Sequence, residues 1–344
     1  MPAPFAEQLS SYYHGHVATM MIDLGHRLDL WDALESTPGT VDEIAARTGL
    51  STRHLREWLG AVTVAGLVNH ADGVFTLPKE HAFWLTGKRY TNLATMSGLF
   101  TGLGQRLDDV CDAFRTGEGV RYERYRPHFT HAMDAIGRAR YDALLVSTYL
   151  PKSPSLVARL RAGAIAYDVG CGTGHCLNLL AAEFALSTFV GVDISTEAIA
   201  LANEEALAMR LSNVRFEVLD ARSLPAEPCA DVVFAFDAIH DQQDPATVLS
   251  LLRGMLRDGG ELFMVDIRAS SILDDNVGDP RLVMMYGTSL MHCMEVGLVD
   301  GGAGLGAVWG TQLATRMLHD AGFQDVVVHE IEADPNNQIY VCRA

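Results

Sequence analysis

Residues 165–174 read I-A-Y-D-V-G-C-G-T-G, a short apolar run that reaches Asp168 and is followed by glycines at alternate positions, Gly170, Gly172 and Gly174. A helical apolar pattern, residues 176–184, comes next. This order predicts strand, tight turn and helix. Glycine suits a sharp chain reversal and a surface where a ligand must touch backbone. The amides that open the following helix favour a negatively charged ligand group such as a carboxylate or a phosphate.

Alone, such a turn also fits a dinucleotide-dependent dehydrogenase or a purely structural reversal. Its neighbours narrow the choice. An apolar strand over residues 188–192 ends in Asp193, 25 residues beyond Asp168. A carboxylate there can accept hydrogen bonds from both hydroxyls of a ribose. A third strand, 214–219, ends in Asp220 followed by Ala221, and a fourth, 231–236, ends with Phe236 and Asp237. Acidic residues thus close four successive strands, at the edge where open α/β sheets bind ligands.

The run Asp168-Val-Gly-Cys-Gly-Thr-Gly174, with Asp193 and Asp220, resembles the binding motif of class I S-adenosylmethionine-dependent methyltransferases. The resemblance implies that the 170–174 turn holds the methionine part of the cofactor. It implies Asp193 on the ribose and Asp220, with Ala221, near the adenine amino group. Phe236 and Asp237 then border the same site. An acidic cradle suits a cationic sulfonium, whereas a pyrophosphate would be repelled.

At 344 residues and 49% hydrophobic content, the chain is expected to form two domains, 1–150 and 151–344. Its net charge of −17 divides as −3 in the first half and −14 in the second. Such a chain is repelled by phosphate backbones and anionic membranes, so small molecules are the expected substrates. The six cysteines form no CxxC pair and read as free thiols of a reducing compartment. No charged-then-apolar leader opens the sequence, and no apolar run reaches the ~20 residues of a membrane span. The expectation is a cytoplasmic protein.

In the first half, residues 11–35 carry one helical apolar stripe. Thr40 and Glu43 have the spacing of a capping box, Gly49 suits the turn after it, and Ser51 caps a helix over 52–65. Residues 66–77 read as a hairpin with Asp72-Gly73 at its tip. Helix, turn, helix and hairpin make a winged helix. DNA binding is rejected, because Arg53, His54 and Arg56 give way to Glu57 and a largely apolar face of Trp58, Leu59, Val62 and Val64. The arrangement resembles the N-terminal dimerisation domain of plant-type O-methyltransferases, which implies a homodimer. Arg121, Arg124 and Arg126 lie among aromatics, either as a solvated loop or as a source of one arginine for a substrate carboxylate. A long helix, 129–149, leads to Pro151 and Pro154 at the domain boundary.

The second half is expected to complete a Rossmann-like, seven-stranded α/β domain whose last strand is antiparallel. His240 and Asp241 follow the fourth strand directly. A long insertion, 268–310, holds His292 on a helical pattern and then a glycine-rich stretch, 301–310, read as a flexible substrate-side loop. Met284, Met285, Met291 and Met294 in this insertion are either core or the lining of an adaptable pocket. Two imidazoles and a carboxylate can hold a metal facially with open positions. The other reading has His240 as the general base of an O-methyltransferase and His292 as a core or lid histidine.

The segments A-F-D-A-I-H-D-Q, M-H-C-M-E-V-G-L and G-G-A-G-L-G-A-V-W-G are similar to those of actinobacterial winged-helix methyltransferases, some of which methylate α-keto acids at carbon with a bound metal in natural-product pathways. That resemblance implies iron or zinc on His240 and His292, with Asp241 as third ligand or base. It implies Arg124 on the substrate carboxylate. A metal-free O- or N-methyltransferase and a cofactor-sensing regulator are the alternatives.

Overall fold

The computed structural model describes residues 4–344, and its compact units divide after Gly104. Residues 105–150 belong to the second unit rather than to the first domain expected over 1–150.

The first unit opens with α1 (Phe5–Arg27) and α2 (Leu30–Ser36). The single helix expected over 11–35 is broken because Asp29 takes a left-handed conformation (φ 54°). Next come α3 (Val41–Thr48) and α4 (Thr52–Val64). The capping box is present: Thr40 Oγ1 accepts from Glu43 N, and Thr40 N donates to Glu43 Oε2 at 2.8 Å. Strands β1 (Asn69–Ala71) and β2 (Val74–Thr76) pair antiparallel as the wing. Asp72 and Gly73 both have positive φ, as a two-residue hairpin turn requires. Helices α5 (Lys79–Leu85) and α6 (Ala94–Gly104) complete the unit. Trp31 and Trp58 meet with centroids 5.0 Å apart. Each indole donates to an α1 carbonyl, Ile22 O at 3.0 Å and Met21 O at 2.9 Å. The Trp58 face of α4, expected to be apolar, is thus spent on this core.

The second unit begins with α7 (Leu107–Thr116), α8 (His128–Leu144) and α9 (Pro154–Ala162). A π-turn, Leu145–Tyr149, extends α8. Its sheet contains β3 (Ile165–Val169), β4 (Thr188–Asp193), β5 (Val214–Val218), β6 (Ala230–Phe236), β7 (Leu256–Ile267), β8 (Asp325–Glu330) and β9 (Asn337–Arg343). The order is β5-β4-β3-β6-β7-β9-β8, with β9 antiparallel to both neighbours. Helices α10 (His175–Glu183), α11 (Thr196–Ala208) and α12 (Pro245–Met255) connect the parallel strands. The winding reverses between β3 and β6, which opens a crevice at their carboxyl ends. Val169, Val190, Val233, Leu249, Leu262 and Phe323 belong to the core of this sheet.

The insertion contains α13 (Leu273–Asn276), α14 (Pro280–Thr288), a π-turn Ser289–Cys293 and α15 (Met294–Leu298), and α16 (Gly310–Asp320) follows it. Among the described residues, 280–301 form one stretch long and apolar enough to cross a membrane by composition alone, contrary to the sequence expectation. His292, Cys293 and Glu295 within it are buried. The glycine-rich stretch is tightly packed, which differs from the flexible loop expected. A Cβ on Gly304 would come within 2.5 Å of the Leu298 side chain, and one on Gly306 would run into the Ser289 hydroxyl.

Candidate active site

The glycine turn after β3 follows from backbone demands. Gly170, Gly172 and Gly174 all have positive φ. A Cβ on Gly170 would lie 2.5 Å from that of Ala238, and one on Gly174 2.6 Å from Ala202 and Phe216. Gly172 differs: a Cβ there would meet nothing within 4 Å, so this part of the turn faces open space. Its amide donates to Asp193 Oδ2 at 2.9 Å, and Ser195 N donates to Asp193 Oδ1 at 2.8 Å. Asp193 is therefore aimed from β4 across the turn. Asp168 lies beneath, with Oδ1 buried and unpartnered. Burial and the Asp193 charge push its carboxyl up to about 8. A cationic group above the turn would relieve both carboxylates. Open backbone, a carboxylate held across the turn and a buried, unpartnered acid fit S-adenosylmethionine.

Asp220 follows β5 and caps the short turn Ala221–Ser223. It accepts from the Arg222 amide and pairs with its guanidinium at 2.6 Å, which holds the carboxyl below its usual range. Ala221 and Phe236 are buried. Asp237, after β6, has a left-handed φ of 51° and pairs with Arg140 of α8 at 2.7 Å. This pair, 14% and 11% exposed, anchors the chain just before His240.

Helix α8 also grips the far side of the glycine turn. Thr173 Oγ1 donates to Asp134, and Arg138 pairs with both Asp134 and Glu205. His175 spans Glu205 through Nδ1 and Asp142 through Nε2, each at 2.8 Å. Burial would raise the Glu205 carboxyl, but the hydrogen bonds from His175 and Arg138 override it and hold it at about 2.

His240 and His292 come to one carboxylate. His240 Nε2 lies 3.4 Å from Asp241 Oδ1, and His292 Nδ1 lies 4.0 Å from Asp241 Oδ2. His240 Nδ1 meets Asp266 Oδ1 at 2.7 Å, and both residues are buried. Burial would lower the His240 pKa, but Asp266 and Asp241 override it and raise it well above the usual imidazole value. His292 shows the opposite: burial, and then the His240 charge, push it down to about 3, so its ring is neutral. It is stacked on Phe129 (3.5 Å, 11°), with Tyr125 at 4.6 Å and Tyr122 at 5.9 Å. Neither ring nitrogen of His292 has a hydrogen-bond partner, nor does Asp241 Oδ1. Buried polar atoms without partners are costly, and each of these three is one. Among the described residues, the donors that lie within 4.8 Å of one another are those of His240, Asp241 and Cys293, and His292 stands outside that grouping. Two imidazoles and a carboxylate are donors suited to iron or zinc.

Arg124 is not brought to this set. It pairs with Asp109 at 2.8 Å and is more than half exposed. Arg121 pairs with Asp300 at 2.7 Å. Of the three clustered arginines, Arg126 faces inward: it donates to Ser195 Oγ at 3.2 Å and lies 5.4 Å from the Tyr122 ring centroid. Sequence reasoning also missed Asp266, which carried a signal as the acidic residue near the end of β7, and Cys293, which lies beside His240 and Asp241. The aromatic wall of Tyr122, Tyr125 and Phe129 had no signal beyond composition.

Residues 160–322 match the family model described as a methyltransferase domain, and residues 16–87 match that of the Rv2258c-like winged HTH domain. A trans-aconitate 2-methyltransferase of Methylobacterium radiotolerans is 29% identical over 188 residues, which cover 50% of this chain and 70% of that enzyme. The 27-O-demethylrifamycin SV methyltransferase of Amycolatopsis mediterranei is 34% identical over 110 residues, 31% of this chain and 40% of that one. Human N-acetylserotonin methyltransferase in complex with SAM superposes with a TM-score of 0.70 at 16% identity, over 100% of this chain and 99% of the other. An O-methyltransferase family protein of Burkholderia thailandensis gives 0.69 at 19%, over 98% and 97%. At such identities, structural likeness shows the fold alone. The fold, the cofactor turn and the family matches together define a class I S-adenosylmethionine-dependent methyltransferase. The chain belongs to the members that carry an N-terminal winged-helix domain.

Proposed function

We propose that the protein methylates the β-carbon of a small α-keto acid, with a divalent or trivalent iron or zinc ion held by His240, His292 and Asp241. One observation carries this reading: two histidines distant in sequence lie 3.4 and 4.0 Å from different oxygens of the Asp241 carboxylate, and Asp241 Oδ1 and both ring nitrogens of His292 lack hydrogen-bond partners. Bound there, the metal supplies Lewis acidity that makes the β-carbon hydrogens of a chelated keto acid removable, and S-adenosylmethionine supplies the methyl group. The protein's part is to position and to exclude water. Asp266 fixes the His240 ring through Nδ1 and leaves Nε2 toward Asp241. Neutral His292 offers a lone pair rather than a charge. The wall of Tyr122, Tyr125 and Phe129 keeps the space apolar, and Asp241, 3.4 and 4.0 Å from the two imidazoles, serves as a ligand or as the base.

Cofactor contacts follow the same proposal: the 170–174 turn for the methionine part, Asp193 for the ribose, and Asp220 with Ala221 for the adenine, bordered by Asp168, Phe236 and Asp237. Arg126 replaces Arg124 as the arginine offered to the substrate side, because it alone of the cluster faces inward. The winged helix is proposed to join two copies of the chain, and small molecules, not nucleic acid or membrane, to be the partners.

A metal-free O-methyltransferase is the second reading, favoured by the Asp266–His240 pair at 2.7 Å, which has base-and-orienter geometry. The high pKa of His240 bears on both readings alike, since a general base and a metal ligand must each be unprotonated. Elemental analysis of the purified protein, with methylation assays on branched-chain and aromatic keto acids, tests the choice. Bound iron or zinc and chelator-sensitive turnover support the first reading, and His240→Ala or His292→Ala should abolish both. Full turnover after metal removal would overturn it.

A further inference from the structure

We propose that Cys293 is an additional metal ligand, and that its thiolate makes the His240–Asp241 site select zinc or ferrous iron over magnesium, manganese or calcium. The proposal rests on reading that cluster as a cation site. Its own observation is separate. Donor atoms of His240, Asp241 and Cys293 all lie within 4.8 Å of one another, a grouping that includes the cysteine. Cys293 is buried, and so is His240.

The surroundings favour a cation there. Asp241, Asp266 and Asp237 all crowd His240. Arg140 neutralises Asp237 at 2.7 Å, which leaves two carboxylates to one imidazole. Asp241 Oδ1 and Asp266 Oδ2 are buried without hydrogen-bond partners. Coordination exchanges the S–H bond for a sulfur–metal bond, and the proton leaves to solvent. Sulfur is a soft donor, and hard cations that prefer oxygen gain little from it. Cys293 also follows His292 within the π-turn Ser289–Cys293, so one helical irregularity delivers a nitrogen and a sulfur to the same carboxylate.

Cobalt(II) titration of the full chain tests the assignment without any turnover. Thiolate ligation gives an intense near-ultraviolet sulfur-to-cobalt charge-transfer band, whereas nitrogen and oxygen ligands give visible bands only. The expected result is that band in the wild type at one equivalent of cobalt and its loss in Cys293→Ser, with the visible bands kept. Zinc affinity of Cys293→Ser should fall at least about tenfold by chelator competition. Stoichiometric cobalt binding without the band, or a band that survives in Cys293→Ser, overturns the proposal. The wild-type spectrum is decisive even if the serine variant fails to fold, and Cys293→Ala provides a second variant. A wild type that shows the band yet methylates no keto acid would overturn the functional reading and leave the ligand assignment standing. Failure to bind cobalt at all would overturn both.

Discussion

Replacing Asp266 by asparagine should weaken metal binding far more than it weakens the fold. Asp266 Oδ1 accepts from His240 Nδ1 at 2.7 Å and from Ile267 N at 2.7 Å, inside a fully buried setting. Asparagine has the same shape, and its carbonyl can accept both bonds. What it lacks is the charge. A hydrogen bond to a charged group contributes about 1.5–3 kcal/mol, against about 1 kcal/mol for a neutral one. If the lost difference of roughly 0.5–2 kcal/mol reaches the other ring nitrogen, zinc affinity falls by about 2- to 30-fold. Outer-shell partners of metal-bound histidines typically contribute about 10–100-fold, which agrees at the upper end. The amide nitrogen takes the place of Oδ2, which has no partner, so a stability loss of about 1–3 kcal/mol is expected as well. The assay is competition for zinc against a chromogenic chelator at 25 °C, with a thermal melt of the same sample. An affinity within twofold of wild type beside a lowered melting temperature would refute the reasoning and make Asp266 a structural residue.

Three further outcomes are expected. Arg140→Met leaves Asp237 buried and unpaired, which should cost about 3–5 kcal/mol, or roughly 6–20 °C in Tm, and Asp237→Leu on top should restore part of it; a shift under about 2 °C would contradict the pairing. Gly172→Ala should fold with a loss of about 1–2 kcal/mol for its positive φ, yet bind S-adenosylhomocysteine at least about tenfold more weakly by calorimetry; unchanged affinity would mean that the open face of the turn is not the cofactor's. Glu205→Gln should destabilise the protein at neutral pH by about 3 kcal/mol at most, less after solvent screening. Because the folded pKa lies below the unfolded one, that contribution is complete above about pH 4.5 and is lost as pH falls toward about 2. Denaturant melts of the two proteins should therefore converge in acid, and a constant difference would count against the network.

Much of the fold was legible because its signals are local. Alternating glycines after an apolar strand, a threonine three residues before a glutamate, and Asp-Gly between two short apolar runs each specify a backbone shape. The placement of Asp193 and Asp220 was legible for the same reason, since both take their places from the ends of their own strands. The other side depends on contacts distant in sequence. His292 meets Asp241 because Phe129 stacks on its ring and packed glycines brace the segment behind it. Arg124 and Arg126 are two residues apart, and only the neighbouring Asp109 and Ser195 decide which one turns inward. The helix break at Asp29 was hidden for a similar reason: an unbroken apolar stripe does not reveal one left-handed residue. Cys293 was read from the absence of a CxxC pattern, which misses a ligand set assembled from separate elements.

The π-turn at Ser289–Cys293 has an evolutionary consequence. Such a turn contains one residue more than the α-helical turn it replaces. Deleting a single codon there would restore ordinary helical winding and leave the residues after it, Glu295 included, facing nearly as they do, so the change falls on the turn that presents His292 and Cys293. The shortest ancestral route to this pocket is therefore the gain of one residue within a plain helix, and loss of that residue is the simplest lesion that would erase it.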